Sequence, residues 1–191
     1  MNMNIDIKSH PVSVLQPFFR DIALVLGSSA MLEFSYYKYQ PQTLEDERKL
    51  FKVNITDVTP EWFFEIHQKI EEGYELAMHS RVWNGNEMRH MLMADMAVKN
   101  SRMDLLPRRM YLPSLQKSVQ PHYFNSGRSF HSYVPVLTSD DDALRKFFCD
   151  LLIHHSQLFD GRWMGHRLLA GYAALRWSCN TGQYRSAPRL V

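Results

Sequence analysis

The sequence predicts an α+β domain, on the strength of three observations. Two apolar runs, Tyr74 to Trp83 and Met88 to Val98, flank Asn84-Gly85-Asn86, the residue chemistry of a tight hairpin turn. A further segment, Phe124 to Val136, has the alternation of a half-buried strand. Phe130 lies between Ser129 and His131, and Tyr133, Val134 and Val136 follow without a helical period. Two stretches with helical spacing, 59–72 and 138–155, stand on either side of these strands, so helices are expected to pack on a sheet.

The elements follow in chain order. Residues 11–26 place Val14, Leu15, Phe18, Ile22 and Val25 on one helical face, and Gly27 ends the run. Met31 to Tyr39 is a strand rich in aromatics that Pro41 closes; 43–49 is a charged loop, and Leu50 to Ile55 a second strand. Thr59-Pro60-Glu61 is a helix start with threonine as cap and proline in the first turn. That helix is expected to reach Glu72, burying Trp62, Phe63, Ile66 and Ile70, with Gly73 as its stop. Lys99 to Gln120 is irregular and basic, with Pro107 and Pro113, and reads as a long surface connection that faces a ligand. Thr138-Ser139-Asp140 caps a helix to about His155 whose inner face is Leu144, Phe147, Phe148, Leu151 and Leu152. A short helix over Arg162 to Tyr172 and a strand from Ala173 to Ser178 complete a single domain over 1–191. Its αβ part is 1–73 and the part that carries the motifs is 74–191.

Composition excludes several classes. At 45% hydrophobic and 22% charged the chain is globular rather than disordered. No segment approaches the roughly 20 apolar residues of a membrane span, and Ile22 to Leu26 is a short apolar run without a cleavage pattern. Cys149 and Cys179 have no paired spacing, so a reducing, cytoplasmic setting is expected. Charge is divided: residues 1–80 hold seven Lys/Arg and twelve Asp/Glu, and residues 81–191 hold fifteen and eight. From Gly161 onward there are five arginines (Arg162, Arg167, Arg176, Arg185, Arg189) and no lysine or acid. Arginine is the preferred fork for phosphate, so Arg162, Arg167, Arg185 and Arg189 are the expected nucleic-acid contacts.

The candidate chemistry centres on Ser126, Gly127, Arg128 and His131. The glycine allows close backbone approach, the arginine offers a planar fork, and the histidine supplies a ring nitrogen. Asp95 stands in the apolar run MLMADMAV, where a lone carboxylate needs a pair, hydrogen bonds or a metal. A local turn or salt bridge is the plainer alternative. Asp160 precedes the arginine-rich stretch and equally suits a helix cap. His79 and His90 lie on the two strands of the hairpin and are candidates to face each other, His154-His155 suits a helix end, and His166 falls in the arginine tract.

These residues resemble the archaeo-eukaryotic primase superfamily, and within it the small bacterial group called primase 1D-like. The family's second motif, Ser-Gly-Arg-x-x-His, is matched by Ser126, Gly127, Arg128 and His131. The third, an aspartate, a helix and a basic strand leading into a small polar turn, is matched by Asp160, GRWMGHRLLAGYAA and the stretch from Leu175 to Arg189. The first has two acids around one residue in the family; here it is Ala94-Asp95-Met96, and Met93 and Ala97, which share the face of Asp95, cannot bind metal. Asp104 and Glu87 are the candidates to compensate.

The resemblance implies an RRM-like antiparallel or mixed sheet flanked by helices and a nucleotidyltransferase acting on a DNA or RNA template with nucleoside triphosphates. It implies Mg²⁺ or Mn²⁺ held by Asp95 and Asp160, with Asp95, His131 and Asp160 catalytic. Ser126, Gly127, Arg128 and His131 would bind nucleotide phosphates, and Arg176, Ser178 and Asn180 would line the nucleotide site. The single acid leaves a second expectation open, a non-catalytic nucleotide- or nucleic-acid-binding subunit of a larger replication, mobile-element or defence complex.

Overall fold

The structure, a computed structural model, describes residues 5–38, 47–138, 141–184 and 186–191. Among these, one eight-stranded sheet has the order β10-β7-β8-β4-β3-β1-β2, with β9 paired to β3. The strands are β1 Met31–Tyr37, β2 Arg48–Asn54, β3 Glu75–Asn84, β4 Glu87–Asp95, β7 His122–Asn125, β8 Phe130–Thr138, β9 Ala174–Arg176 and β10 Arg189–Leu190. Short β5 Met110–Leu112 and β6 Lys117–Val119 form a separate hairpin. The helices are α1 Pro11–Val14, α2 Gln16–Leu26, α3 Pro60–Gln68, α4 Asp141–His154 and α5 Gly161–Ala170. Every strand pair described is antiparallel, and the protein has the α+β class that its sequence predicts.

Local chemistry explains most boundaries. The helix expected over 11–26 is two helices joined at Leu15. Pro17 has no N–H for the carbonyl of Ser13, so the first helix cannot continue through it. Thr59 caps α3 by accepting from Trp62 N–H at 3.2 Å, as expected. That helix stops at Gln68, before Gly73, because its last turn tightens with Lys69 N–H on the Ile66 carbonyl. Gly85 and Asn86 form the hairpin turn between β3 and β4, with Gly85 at φ +58°.

The segment from Phe124 to Val136 is not one strand. Ser126–Ser129 forms a turn between β7 and β8, and Gly127, at φ +107°, reverses the chain. Asn125 Oδ1 accepts from Gly127 N–H at 2.8 Å, and Ser126 N–H bonds Ser129 O at 3.0 Å. Lys99–Gln120, expected to be irregular, contains the β5–β6 hairpin, whose three-residue strands are too short to show a period. The expected cap residues Ser139 and Asp140, and Tyr39, Pro41 and 43–46, lie outside the described residues.

The ladder between β3 and β4 runs only from Arg81 to Asn84; nearer its other end, Ala77–His79 of β3 pairs with β9. So β9 lies alongside β3 at the level where β4 reaches Asp95, and Asp95 is left with β8 as its hydrogen-bonded neighbour. The core packs around aromatic rings: Phe34 meets Trp62 at 4.9 Å and Trp177 at 5.3 Å, and α4 and α5 contact β4. Trp177 Nε1 donates to Tyr133 Oη at 2.9 Å, tying the segment after β9 to β8.

His79 and His90 do not face each other. His79 bonds Glu33 at 2.8 Å and Ser35 at 2.8 Å, whereas His90 bonds Ser80 at 2.9 Å and Asp141 at 2.8 Å. In the hairpin register His90 stands opposite Arg81, which places the two histidines out of step. Burial lowers the pKa of both, that of His79 to about 4.

Phe34→Ala removes a fully buried ring that meets three other aromatics. Urea unfolding is expected to show a loss of about 3–5 kcal/mol.

Candidate functional site

Asp95 ends β4 and His131 is the second residue of β8, and the two are direct cross-strand partners. Such partners leave the sheet on the same face. Asp95 Oδ1 is 4.0 Å from His131 Nε2 and accepts from Met96 N–H at 3.1 Å. Asp160 reaches the same place from the other side, its N–H donating to the Asp95 carbonyl at 3.1 Å beside a Met96–Phe159 bridge. Its Oδ1 also caps α5, accepting from Arg162 N–H at 2.9 Å and Trp163 N–H at 3.0 Å. The cap and the shared site are therefore compatible roles of one carboxylate. Two acids and a histidine from β4, β8 and the cap of α5 thus lie on adjoining stretches of chain.

Their electrostatics are coupled. Burial first, then the neighbouring Asp160 charge, pushes the Asp95 carboxyl up to about 7, against the opposing Met96 N–H and Arg176. Burial and then Arg176 hold His131 well below the usual histidine value, so its ring is neutral at pH 7. The buried Nδ1 of that ring has no hydrogen-bond partner. The Asp95 side chain keeps 25% of its exposure, so the site opens to solvent on the acid side.

The Ser126–Ser129 turn borders this centre. Arg128 is exposed at its tip, while Ser126 is buried. Asn100 holds the turn from outside, with its N–H on the Arg128 carbonyl at 3.0 Å and its Nδ2 on the Gly127 carbonyl at 2.8 Å.

Arg176, Ser178 and Asn180 lie beside the site, but their polar groups bond within the protein. Arg176 is buried, donates to the carbonyls of Ser126, Ser178 and Ser186, and lies 3.9 Å over the Tyr184 ring. Ser178 Oγ donates to Glu75 and accepts from Leu76 N–H. Asn180 N–H also bonds the Glu75 carboxylate at 2.9 Å, and its side-chain amide donates to the carbonyls of Glu71 and Tyr74. Thr181 adds its N–H and Oγ1 at 2.7 Å each. Glu75 is therefore the hub of the 178–181 turn, and sequence reasoning missed it. The signal was present: an acid heading the apolar strand ELAMHS raises the same question as Asp95.

The expected nucleic-acid arginines divide. Arg162 and Arg189 are exposed, and Arg189 pairs with Asn125, one residue before the Ser126 turn. Arg167 is only 7% exposed and packs toward the Tyr172 ring, because it lies on the inner face of α5. Arg185 lies outside the described residues. Neither compensating acid joins Asp95. Asp104 is bound by Arg102 at 3.1 Å, and Glu87 is at the far end of β4, about 27 Å away along the strand. Among the described residues, no group of three or more His, Cys, Asp and Glu is placed to hold a metal ion, and no helix is long and apolar enough to cross a membrane.

The antiparallel sheet carries a strand-end aspartate and a facing histidine, with a helix-capping aspartate beside them, and the class of protein is primase-like. The chain belongs to the archaeo-eukaryotic primase 1D-like family, whose model matches residues 54–189. The match begins before α3, so it takes in more of the N-terminal part than the three motifs alone. Searches of the curated proteins and of the solved structures find no match to the chain.

Because the folded-state pKa of Asp95 stands above that of a free aspartate, the folded protein holds a proton that the unfolded chain has released. Stability from this group therefore falls as pH rises from about 4 to about 7. Asp160→Asn keeps a good cap but removes the neighbouring charge. It is expected to lower the Asp95 pKa in a carboxyl-carbon NMR titration and to flatten that loss. Glu75→Ala strands the donors of Ser178, Asn180 and Thr181; thermal unfolding is expected to show more than about 2 kcal/mol of destabilisation.

Proposed function

We propose that this protein is a metal-dependent nucleotidyltransferase that adds nucleoside triphosphates to a nucleic-acid strand. The observation that carries this reading is the meeting of Asp95 and Asp160 opposite the neutral His131. Two adjacent carboxylates, one holding a proton to about pH 7, form a donor set that a hard divalent cation satisfies by displacing that proton. Asp95 and Asp160 would hold Mg²⁺ or Mn²⁺, with phosphate and water oxygens completing the shell. When bound, such an ion neutralises triphosphate charge and polarises the reacting phosphorus.

The protein's own residues supply the rest. The neutral His131 ring can donate one hydrogen bond to a phosphate oxygen without adding charge, and it has a nitrogen in need of a partner. Arg128, exposed at the tip of its turn, offers a bidentate fork to the triphosphate. Arg176 acts from behind: its charge disfavours protonation of His131 and favours ionised Asp95. Ser178 and Asn180 act as supports of the pocket, since their side chains hold the turn to Glu75 and its neighbours.

A second reading has its own observation. With a single acid at the site end of β4 and no three-ligand group among the described residues, the site suits a binding subunit that retains nucleotide or nucleic acid without polymerising it.

Primer extension with NTPs or dNTPs in Mn²⁺ separates the two. Template-dependent product, lost at least 100-fold in Asp95→Asn, is the expected result. Nucleotide binding by the wild type without any product, under conditions where an active primase works, would establish the binding subunit instead.

A further inference from the structure

The segment that leaves Asp95 and returns at β7 has a surface that the reaction centre does not use. Between Lys99 and Gln120 there are five cations and one acid, Asp104, which Arg102 neutralises. Lys99, Arg108, Arg109 and Lys117 remain exposed, and among the described residues none of them forms an ion pair. Apolar groups stand out among them: Tyr111 and Met103 are each 56% exposed. On β5 the flanking Met110 and Leu112 are buried, so the pleat turns Tyr111 outward by construction.

A solvated basic loop would explain the charge alone, but this segment is anchored at several points. Asn100 bonds the Gly127–Arg128 turn, Tyr123 Oη donates to the Pro107 carbonyl at 2.9 Å, and Ser114 N–H bonds Asp150 of α4 at 2.8 Å. The arm is thus a braced platform joined directly to the turn that carries Arg128. Cations without acids on a rigid support call for a polyanion, and a projecting aromatic ring calls for a flat apolar partner. A single nucleic-acid strand has both, a charged backbone and unstacked base faces; a duplex hides the second.

We propose that this arm is the docking surface for a single-stranded nucleic acid, with Arg108, Arg109 and Lys99 on its phosphates and Tyr111 stacked on a base. It rests on the reading of the site above and names the partner there: the strand that serves as template.

The test is fluorescence anisotropy of a labelled single-stranded oligonucleotide, as DNA and as RNA, across a salt series. Mn²⁺-dependent NTP binding is measured in parallel on the same proteins. Arg108→Ala with Arg109→Ala is expected to weaken oligonucleotide binding at least tenfold and to reduce the salt slope by about 1.4, while NTP binding is unchanged. Tyr111→Ala is expected to weaken it about 5- to 100-fold with the slope unchanged. Wild-type affinity and slope in the double arginine variant overturn the proposal. So does an unaltered Tyr111→Ala, or equal competition by polyaspartate, which points to charge alone and an acidic protein partner. Oligonucleotide binding that depends on the arm, in a protein that makes no product, leaves the surface standing and removes only the catalytic reading.

Discussion

The structure depends on a buried guanidinium that forms no ion pair among the described residues. Arg176 cannot shed its proton, so burying it demands acceptors, and it finds them in the carbonyls of Ser126, Ser178 and Ser186. Those carbonyls belong to the turn before β8, the segment after β9 and the approach to β10. One side chain therefore gathers three separate stretches of chain around the end of β4. Glu75 is its counterpart of opposite sign, a buried carboxylate satisfied by hydroxyl and backbone donors of Ser178, Asn180 and Thr181. Among the described residues the two form no ion pair with each other, and both draw on groups of Ser178, whose carbonyl accepts from Arg176 and whose hydroxyl donates to Glu75.

The site's electrostatics follow from this arrangement. With β9 alongside β3, Arg176 stands near Asp95 and His131, and its field opposes a proton on either. For His131 that field adds to burial, so the ring is neutral. For Asp95 it is outweighed by burial and by Asp160, and the carboxyl retains a proton far above its ordinary range. A neutral ring on β8 therefore stands opposite an aspartate on β4 that burial and a neighbouring charge keep protonated up to about pH 7.

Much of the fold was legible because it is written in short-range chemistry. The Thr59-Pro60 start of α3, the Gly85-Asn86 hairpin and the inner face of α4, save Leu152, which is exposed where burial was expected, each follow from residues within a few positions of one another. The misreadings are equally local: Pro17 cuts the first helix at Leu15, and the positive φ of Gly127 makes a turn where alternation suggested one strand. The Ser126–His131 motif and Asp160 were recognisable as residue types in order. What each one touches was not, and Arg167, expected on the surface, is buried on the inner face of α5.

By itself the sequence determined the class of the fold, the run of most elements and the order of the motif residues by which the family is recognised. Only the tertiary structure decided that Asp95 meets Asp160, that Arg176 and Asn180 spend their donors within the protein, and that Glu75 holds their turn. It also decided that the arm from Lys99 to Val119 is braced rather than loose. The physical reason is the reach of these contacts. Glu75 and Asn180 are 105 residues apart and Ser126 and Arg176 are 50 apart, and no local period or propensity encodes a partner at that distance. Such pairs form because a buried charge must find its acceptors or donors somewhere, and the packed sheet determines where they are.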